Sequence, residues 1–536
     1  MARPPRLNRR ILIQGAIGAA GSSFLPWRAY AQGKRGGVLM VAADTDPAHW
    51  NGAILASNGV FFVSSKVLEP LADQAFGGNG LKPVLATSWT PAADGRSITF
   101  QLRSGVKWHD GKDFTSADVA FSAMEIWKKL QNFGRVLFKD LEAVETPNAT
   151  TAIFRFSKPI PSQLIVNALP AVSTVVPKHL YENTDAAQPT HPQNQKPVGT
   201  GPYTFAEHKR GEFVRLERNP NYWAPNQPLV DRILYRKMAD KGAVAAAHES
   251  GDIHLSCFSA VSTPDAIRLG KVKGLEVTAK GYEGILYTAT VEINHRRKEL
   301  ADLRVRRAIR HAIDPKFMLD TVFNGFGSIA TGPVPASGAP FYTTDVPQYA
   351  FDPARAEALL DEAGYKKGAD GNRFALKLLP APFFEQTRLT GDYLRQALRR
   401  IGIDVQIESN DAPGHLNKVY KDHAFDLAVA ALVYRNDPAI STTVLYRSGT
   451  PAGAFFTNQY GYADPEMDKL IDQAASEIND AERTKLYVAF QKKVMSDLPI
   501  IPLVDFPFLS VVSEKVVNHH NTPRWPCSSW ADVSLA

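Results

Sequence analysis

The sequence predicts an α/β protein of roughly three domains, and two patterns and a length carry that prediction. Phe374–Leu379 reads as a strand, Glu385–Ile401 as a helix with Leu389, Leu394, Ala397, Leu398 and Ile401 inward, and Ile403–Ile407 as a second strand. That β-α-β order implies a partly parallel sheet. Ser97–Leu102 instead alternates apolar Ile98, Phe100 and Leu102 with polar Ser97, Thr99 and Gln101, the period of a half-buried strand. Finally, 536 residues of 44% hydrophobic composition are too many for one core and ample for several.

The elements follow in chain order. Arg9 and Arg10 precede a weakly apolar stretch from Ile11 to Pro26, and Ala29, Tyr30 and Ala31 fit the small-x-small rule for signal peptidase. Residues 1–31 therefore read as a twin-arginine-type signal peptide cut before Gln32, because Gln14, Gly15, Gly18, Gly21, Ser22 and Ser23 dilute the run below a membrane span. The run from Leu85 to Trp127, LATSWTPAADGRSITFQLRSGVKWHDGKDFTSADVAFSAMEIW, holds the alternating strand between turns at Asp94-Gly95 and Asp110-Gly111. Thr115 and Asp118 are spaced as a capping box for a helix whose inner face is Val119, Ala120, Ala123, Met124 and Trp127. A second block, Lys196 to Trp223, breaks at Gly199-Thr200-Gly201-Pro202 before two strands joined through Lys209–Glu212, a hairpin ended by Asn219–Asn221.

Leu303–Asp314 reads as a helix with Val305, Ala308, Ile309, Ala312 and Ile313 buried and Arg304, Arg306, Arg307 and Arg310 on its solvated face. Asp352-Pro353 and Asp464-Pro465 supply an N-cap and a first-turn proline for two further helices, the first ended by Gly364. The apolar run Ile500–Val512, broken by prolines, reads as the return of the chain to its first lobe.

Together these blocks resemble the signature of family 5 extracellular solute-binding proteins, the dipeptide-, oligopeptide- and nickel-binding components of bacterial ABC importers. The resemblance spans essentially the whole chain after residue 31. It implies a two-lobed periplasmic binding protein fold, class II or cluster C, with an extra inserted domain. On that pattern residues 32–70, 186–285 and 500–536 form a discontinuous lobe I, 71–185 the inserted domain, and 286–499 lobe II. The implied function is capture of a peptide-like or conjugated small solute by hinge closure and its delivery to an ABC permease in the inner membrane, by a monomer free in the periplasm that performs no catalysis and carries no cofactor.

In peptide-binding members an aspartate in a loop after a second-lobe strand anchors the free amine of the ligand. Here that loop is Tyr434-Arg435-Asn436-Asp437-Pro438, and Tyr434 or Arg435 stands where the aspartate is expected. A guanidinium in a closed cleft favours a carboxylate or phosphate, so the expected ligand has an exposed acidic group, as in a modified peptide or opine-like conjugate. The alternatives are that Arg435 points to solvent or pairs with Asp437, or that Asp437 is itself the amine anchor. The same carry-over assigns Asn58, Gly59 and Phe62 in the first lobe and Phe133 in the inserted domain to the ligand cleft.

Other functions are read from the chain and set aside. Ser104–Lys107 matches an S-x-x-K motif but lies between a strand and a turn, and Gly325–Ala330 matches G-x-G-x-x-A but follows a helix. Gly199 and Gly201 lack the helix and lysine of a phosphate loop. No zinc-spaced His, Cys and acidic set is present, and His519-His520 reads as an exposed polar pair. The rival readings are a secreted hydrolase acting on peptides or β-lactams, and a nickel or metal-chelate binder. The formal charge of +7 falls to +2 after residue 31, because residues 1–31 hold five arginines and no acid, so no nucleic-acid partner is expected. Cys257 and Cys527 allow one disulfide or two separate buried thiols.

Overall fold

The computed structural model describes residues 34–76 and 80–536. The expected signal peptide lies outside them, and among the described residues no helix is long and apolar enough to cross a membrane.

Three sheets organise the chain. The first has seven strands in the order Leu275–Thr278, Ser510–Ser513, Leu255–Ser256, Val38–Ala43, Arg232–Lys237, Phe213–Arg218 and Tyr203–Lys209. Its core gathers Leu39, Val41, Phe62, Tyr203, Leu216, Ile233, Trp525 and Trp530. The second is a four-stranded antiparallel sheet from Ala86 to Phe156, in which Ser97–Leu102 is central and pairs on both sides. The third has six strands in the order Ser328–Ile329, Ile500–Phe506, Tyr287–Ile293, Leu427–Val433, Phe374–Pro380 and Ile403–Ile407. Phe374–Pro380 and Ile403–Ile407 are parallel and joined by helix Glu385–Arg400, so the β-α-β unit forms as its apolar periods require.

The local signals act as their chemistry demands. Asp118 accepts the Thr115 backbone N–H at 2.8 Å, closing the start of helix Ser116–Phe121. The helix then widens to a π-turn over Ser122–Trp127, which brings Ile126 inward beside Ala123 and Trp127. Asp352 caps Pro353–Glu362 through the Arg355 N–H at 2.9 Å, and Gly364 follows in the left-handed region at φ +89°. Gly199 and Gly201 serve close approach: a Cβ on Gly199 would lie 1.7 Å from the Val67 carbonyl oxygen.

Four expectations need correction. Ile500–Phe506 does not return the chain to the first sheet; it pairs with Tyr287–Ile293 in the third, and the chain rejoins the first at Ser510. Pro502, read as a break, sits where the ladder shifts register at Ala289/Thr290, a position that tolerates a missing N–H. Arg306 and Arg310 are buried. Arg306 donates to the carbonyls of Asp497, Leu300 and Ala301, so helix ends and turns supply the partners that water was expected to give. His520 is buried, with its ring 4.4 Å from Trp525. Cys257 and Cys527 are both buried and free, and burial pushes the Cys257 thiol up to about 12. Of the two alternatives for the cysteines, separate apolar thiols are the one observed.

Candidate functional site

The first and third sheets are joined by two adjacent connections, 279–286 and 507–509, which link neighbouring antiparallel strands of each. Tyr282, Tyr287, Phe384 and Phe508 pack their rings around this crossing, 5.1–6.0 Å apart. The four-stranded sheet and its helices sit beside the first sheet, and helix Ser162–Val172 faces the third-sheet body across a cleft.

That cleft encloses about 730 Å³. One wall comes from Gln74, Gln163 and Asn167, the other from Phe341, Asn436 and Thr484. The Asn436 side chain donates across it to the Asn167 carbonyl at 3.4 Å. The volume lies in the range of small-molecule sites between domains. At its inner end, sharing Asn167, Gly284 and Asn436, a narrow recess is lined by Phe133, Arg435 and Arg524.

Arg435 directly follows the strand Leu427–Val433 and Tyr434, which aim the loop at the recess. Its guanidinium carbon stands 4.8 Å from the Phe133 ring centroid, a cation–π distance. The residue is half-buried and lines the recess. Burial lowers its pKa, with the Tyr287 hydroxyl opposing that fall and the Arg524 charge adding to it. Among the described residues Arg435 has no carboxylate within ion-pair distance, and its buried Nε has no acceptor. A half-buried cation without a counter-charge is only partly solvated, and an anion at the recess would relieve that cost.

Asp437 is elsewhere in its chemistry. Its two oxygens accept from Arg483 Nη1 at 2.7 Å and Nη2 at 2.8 Å, and both side chains are fully buried. One of those oxygens also caps helix Pro438–Ser441 through the Ala439 N–H at 3.0 Å. So Asp437 neither pairs with Arg435 nor is free to anchor an amine. Tyr434 points away too: it is buried in the third-sheet body with its hydroxyl donating to Gly338 O at 3.4 Å. Phe62 is core, its ring 5.2–5.6 Å from Tyr235, Phe258 and Trp530. Gly59 packs on Thr45, whose Oγ1 an added Cβ would meet at 2.6 Å. Asn58 bridges the lobes, donating to the Tyr287 hydroxyl at 3.5 Å and keeping a buried, unpartnered Oδ1.

Sequence reasoning missed Arg524, Asn167 and Asn436. Asn436 has φ +61°, the left-handed conformation that asparagine tolerates and a turn-like loop signals. Arg524 lies in a tail without periodicity, and no signal in the sequence marks it. Among the described residues no three His, Cys, Asp or Glu side chains converge as a metal site.

Two α/β bodies joined by a double crossing, with a ligand-sized cleft between them, define a hinged binding protein of two lobes and an added subdomain. The chain belongs to the bacterial extracellular solute-binding proteins, family 5, whose middle-region model matches residues 80–454. It is a substrate-binding protein of the ABC-transporter type. It is similar to the glutathione-binding protein GsiB of Escherichia coli strain K12, with 28% identity over 449 residues covering 82% of each chain. Its fold resembles that of the substrate-binding protein CtaP of Listeria monocytogenes, with a TM-score of 0.82 at 24% identity over 94% of this chain and 100% of that one. The oligopeptide-binding protein AppA of Bacillus subtilis, solved with a nonapeptide, superposes with a TM-score of 0.76 at 23% identity over 94% and 100%.

Proposed function

We propose that this chain is exported to the periplasm through its twin-arginine leader, captures a peptide-like or conjugated solute bearing an exposed acidic group, and hands it as a monomer to an inner-membrane ABC permease without altering it. The observation that carries the ligand class is the Arg435 guanidinium, packed against Phe133 in the interlobe recess with no carboxylate beside it and its Nε buried without an acceptor. Engagement of Asp437 by Arg483 argues against recognition through a free amine at that loop. The likeness to a glutathione-binding protein supports a small peptide-derived ligand.

Native mass spectrometry of protein purified from periplasm without denaturation tests this. An acidic conjugate released intact is the expected result, and a neutral or purely cationic ligand would overturn the assignment. Arg435→Ala should weaken binding of the released acid by about 2 kcal/mol or more, roughly 30-fold; unchanged affinity would remove Arg435 from the site.

A further inference from the structure

The recess holds a second cation. Arg524 comes from the C-terminal segment, next to Trp525, which packs in the core of the first sheet. Arg435 comes from the loop after a third-sheet strand. The two guanidinium-bearing side chains line the same recess from opposite lobes. Arg524 is almost wholly buried, donates to the Pro170 carbonyl and lies 5.6 Å over the Phe61 ring. Neither arginine has a carboxylate within ion-pair distance among the described residues. Asp73 is the nearby acid: its carboxyl is raised by burial and drawn back down by the Arg524 charge, and one of its oxygens is already taken by the Gln74 N–H at 2.8 Å. Beside the recess, the Gln74 side-chain oxygen is buried without a donor and occupies the space a Cβ on Gly284 would need.

Resting on the reading of this recess as the solute site, we propose that Arg435 and Arg524 form a two-guanidinium clamp, one jaw per lobe, for a ligand end carrying two carboxylates. The two like charges share one recess between the lobes, where they repel. A single carboxylate cancels one of them. A dicarboxylate end cancels both and gives each guanidinium an acceptor, so differential affinity for the closed state grows with the second charge.

Single-molecule energy transfer between dyes on Arg210→Cys in the first lobe and Lys366→Cys in the second reads the closed-to-open ratio; the native cysteines are buried. Succinate should close the wild type and acetate at equal ionic strength should not, and the succinate response should be lost in Arg524→Gln. The clamp is overturned if succinate closes Arg524→Gln as readily as the wild type, if acetate closes the cleft as well as succinate, or if succinate fails to shift the wild type. Loss of the copurified acid in Arg435→Gln alongside any of those results would reject the clamp and keep the site; its retention would reject the site itself.

Discussion

Replacing Arg483 with methionine should destabilise the third-sheet body severely and leave the ligand chemistry of the recess untouched. The guanidinium makes four hydrogen bonds: two to Asp437, one from Nε to Ala474 O at 3.0 Å, and one to the Tyr487 hydroxyl at 3.2 Å. It also stands 5.1 and 5.0 Å from the Phe341 and Tyr487 rings. Methionine fills much of the volume but strands the Asp437 carboxylate in a fully buried position with only the Ala439 N–H as donor. Breaking one side of a buried pair costs about 3–5 kcal/mol. For a body of roughly 220 residues, at about 2–4 °C per kcal/mol, the melting temperature should fall by about 6–20 °C. Differential scanning calorimetry of the single variants and of Asp437→Asn/Arg483→Met measures this. The double variant should recover at least half of the loss, because no buried charge is left unpaired. A single variant melting within about 2 °C of wild type, or a double variant as low as both losses added, would refute the reasoning and reopen Asp437 as a ligand contact.

Glu292, fully buried with one oxygen unpartnered and the other 3.4 Å from the Tyr420 hydroxyl, has its carboxyl raised by burial to about 8. Between the ordinary value near 4.5 and about 8 the folded chain keeps a proton that the unfolded chain has lost, so stability falls as pH rises through that window. Glu292→Gln should therefore melt above wild type at alkaline pH, with the advantage vanishing at and below about pH 4.5 in a pH series of melting curves. Gly199→Ala drives a Cβ into the Val67 carbonyl and should cut soluble yield or lower the melting temperature, whereas Gly211→Ala, with open space beside it, should cost only its left-handed backbone strain. Neither cysteine should react with a thiol reagent in the native protein, and both should react after denaturation without reductant; a titre of zero in denaturant would reveal a bridge.

What the sequence disclosed was local. The strand Ser97–Leu102, the β-α-β unit and the Asp-Pro helix starts each depend on residues within a few positions, and each formed where its pattern lay. What stayed hidden depends on partners far along the chain. Arg306 looks solvated until the carbonyl of Asp497, 191 residues on, arrives to accept from it. Asp437 looks free until Arg483 meets it 46 residues later. Pro502 looks like a break because only the partner strand reveals the register shift that admits it. The candidate site was half legible for the same reason: a cation out of place in a loop announced Arg435, whereas Arg524 acquires meaning only when the tail folds back over Pro170.

The strand Ser510–Ser513 lies between Leu275–Thr278 and Leu255–Ser256, yet it is among the last segments of the chain to be made. Tyr287 and Phe506, the ends of the third-sheet stretch, are paired neighbours, so that lobe is complete in itself once residue 506 has emerged. The first sheet, begun hundreds of residues earlier, stays split until the next few residues slot into it. In chain order, then, the third sheet has all its strands before the first sheet does, because the segment after residue 506 supplies both Ser510–Ser513 and Arg524.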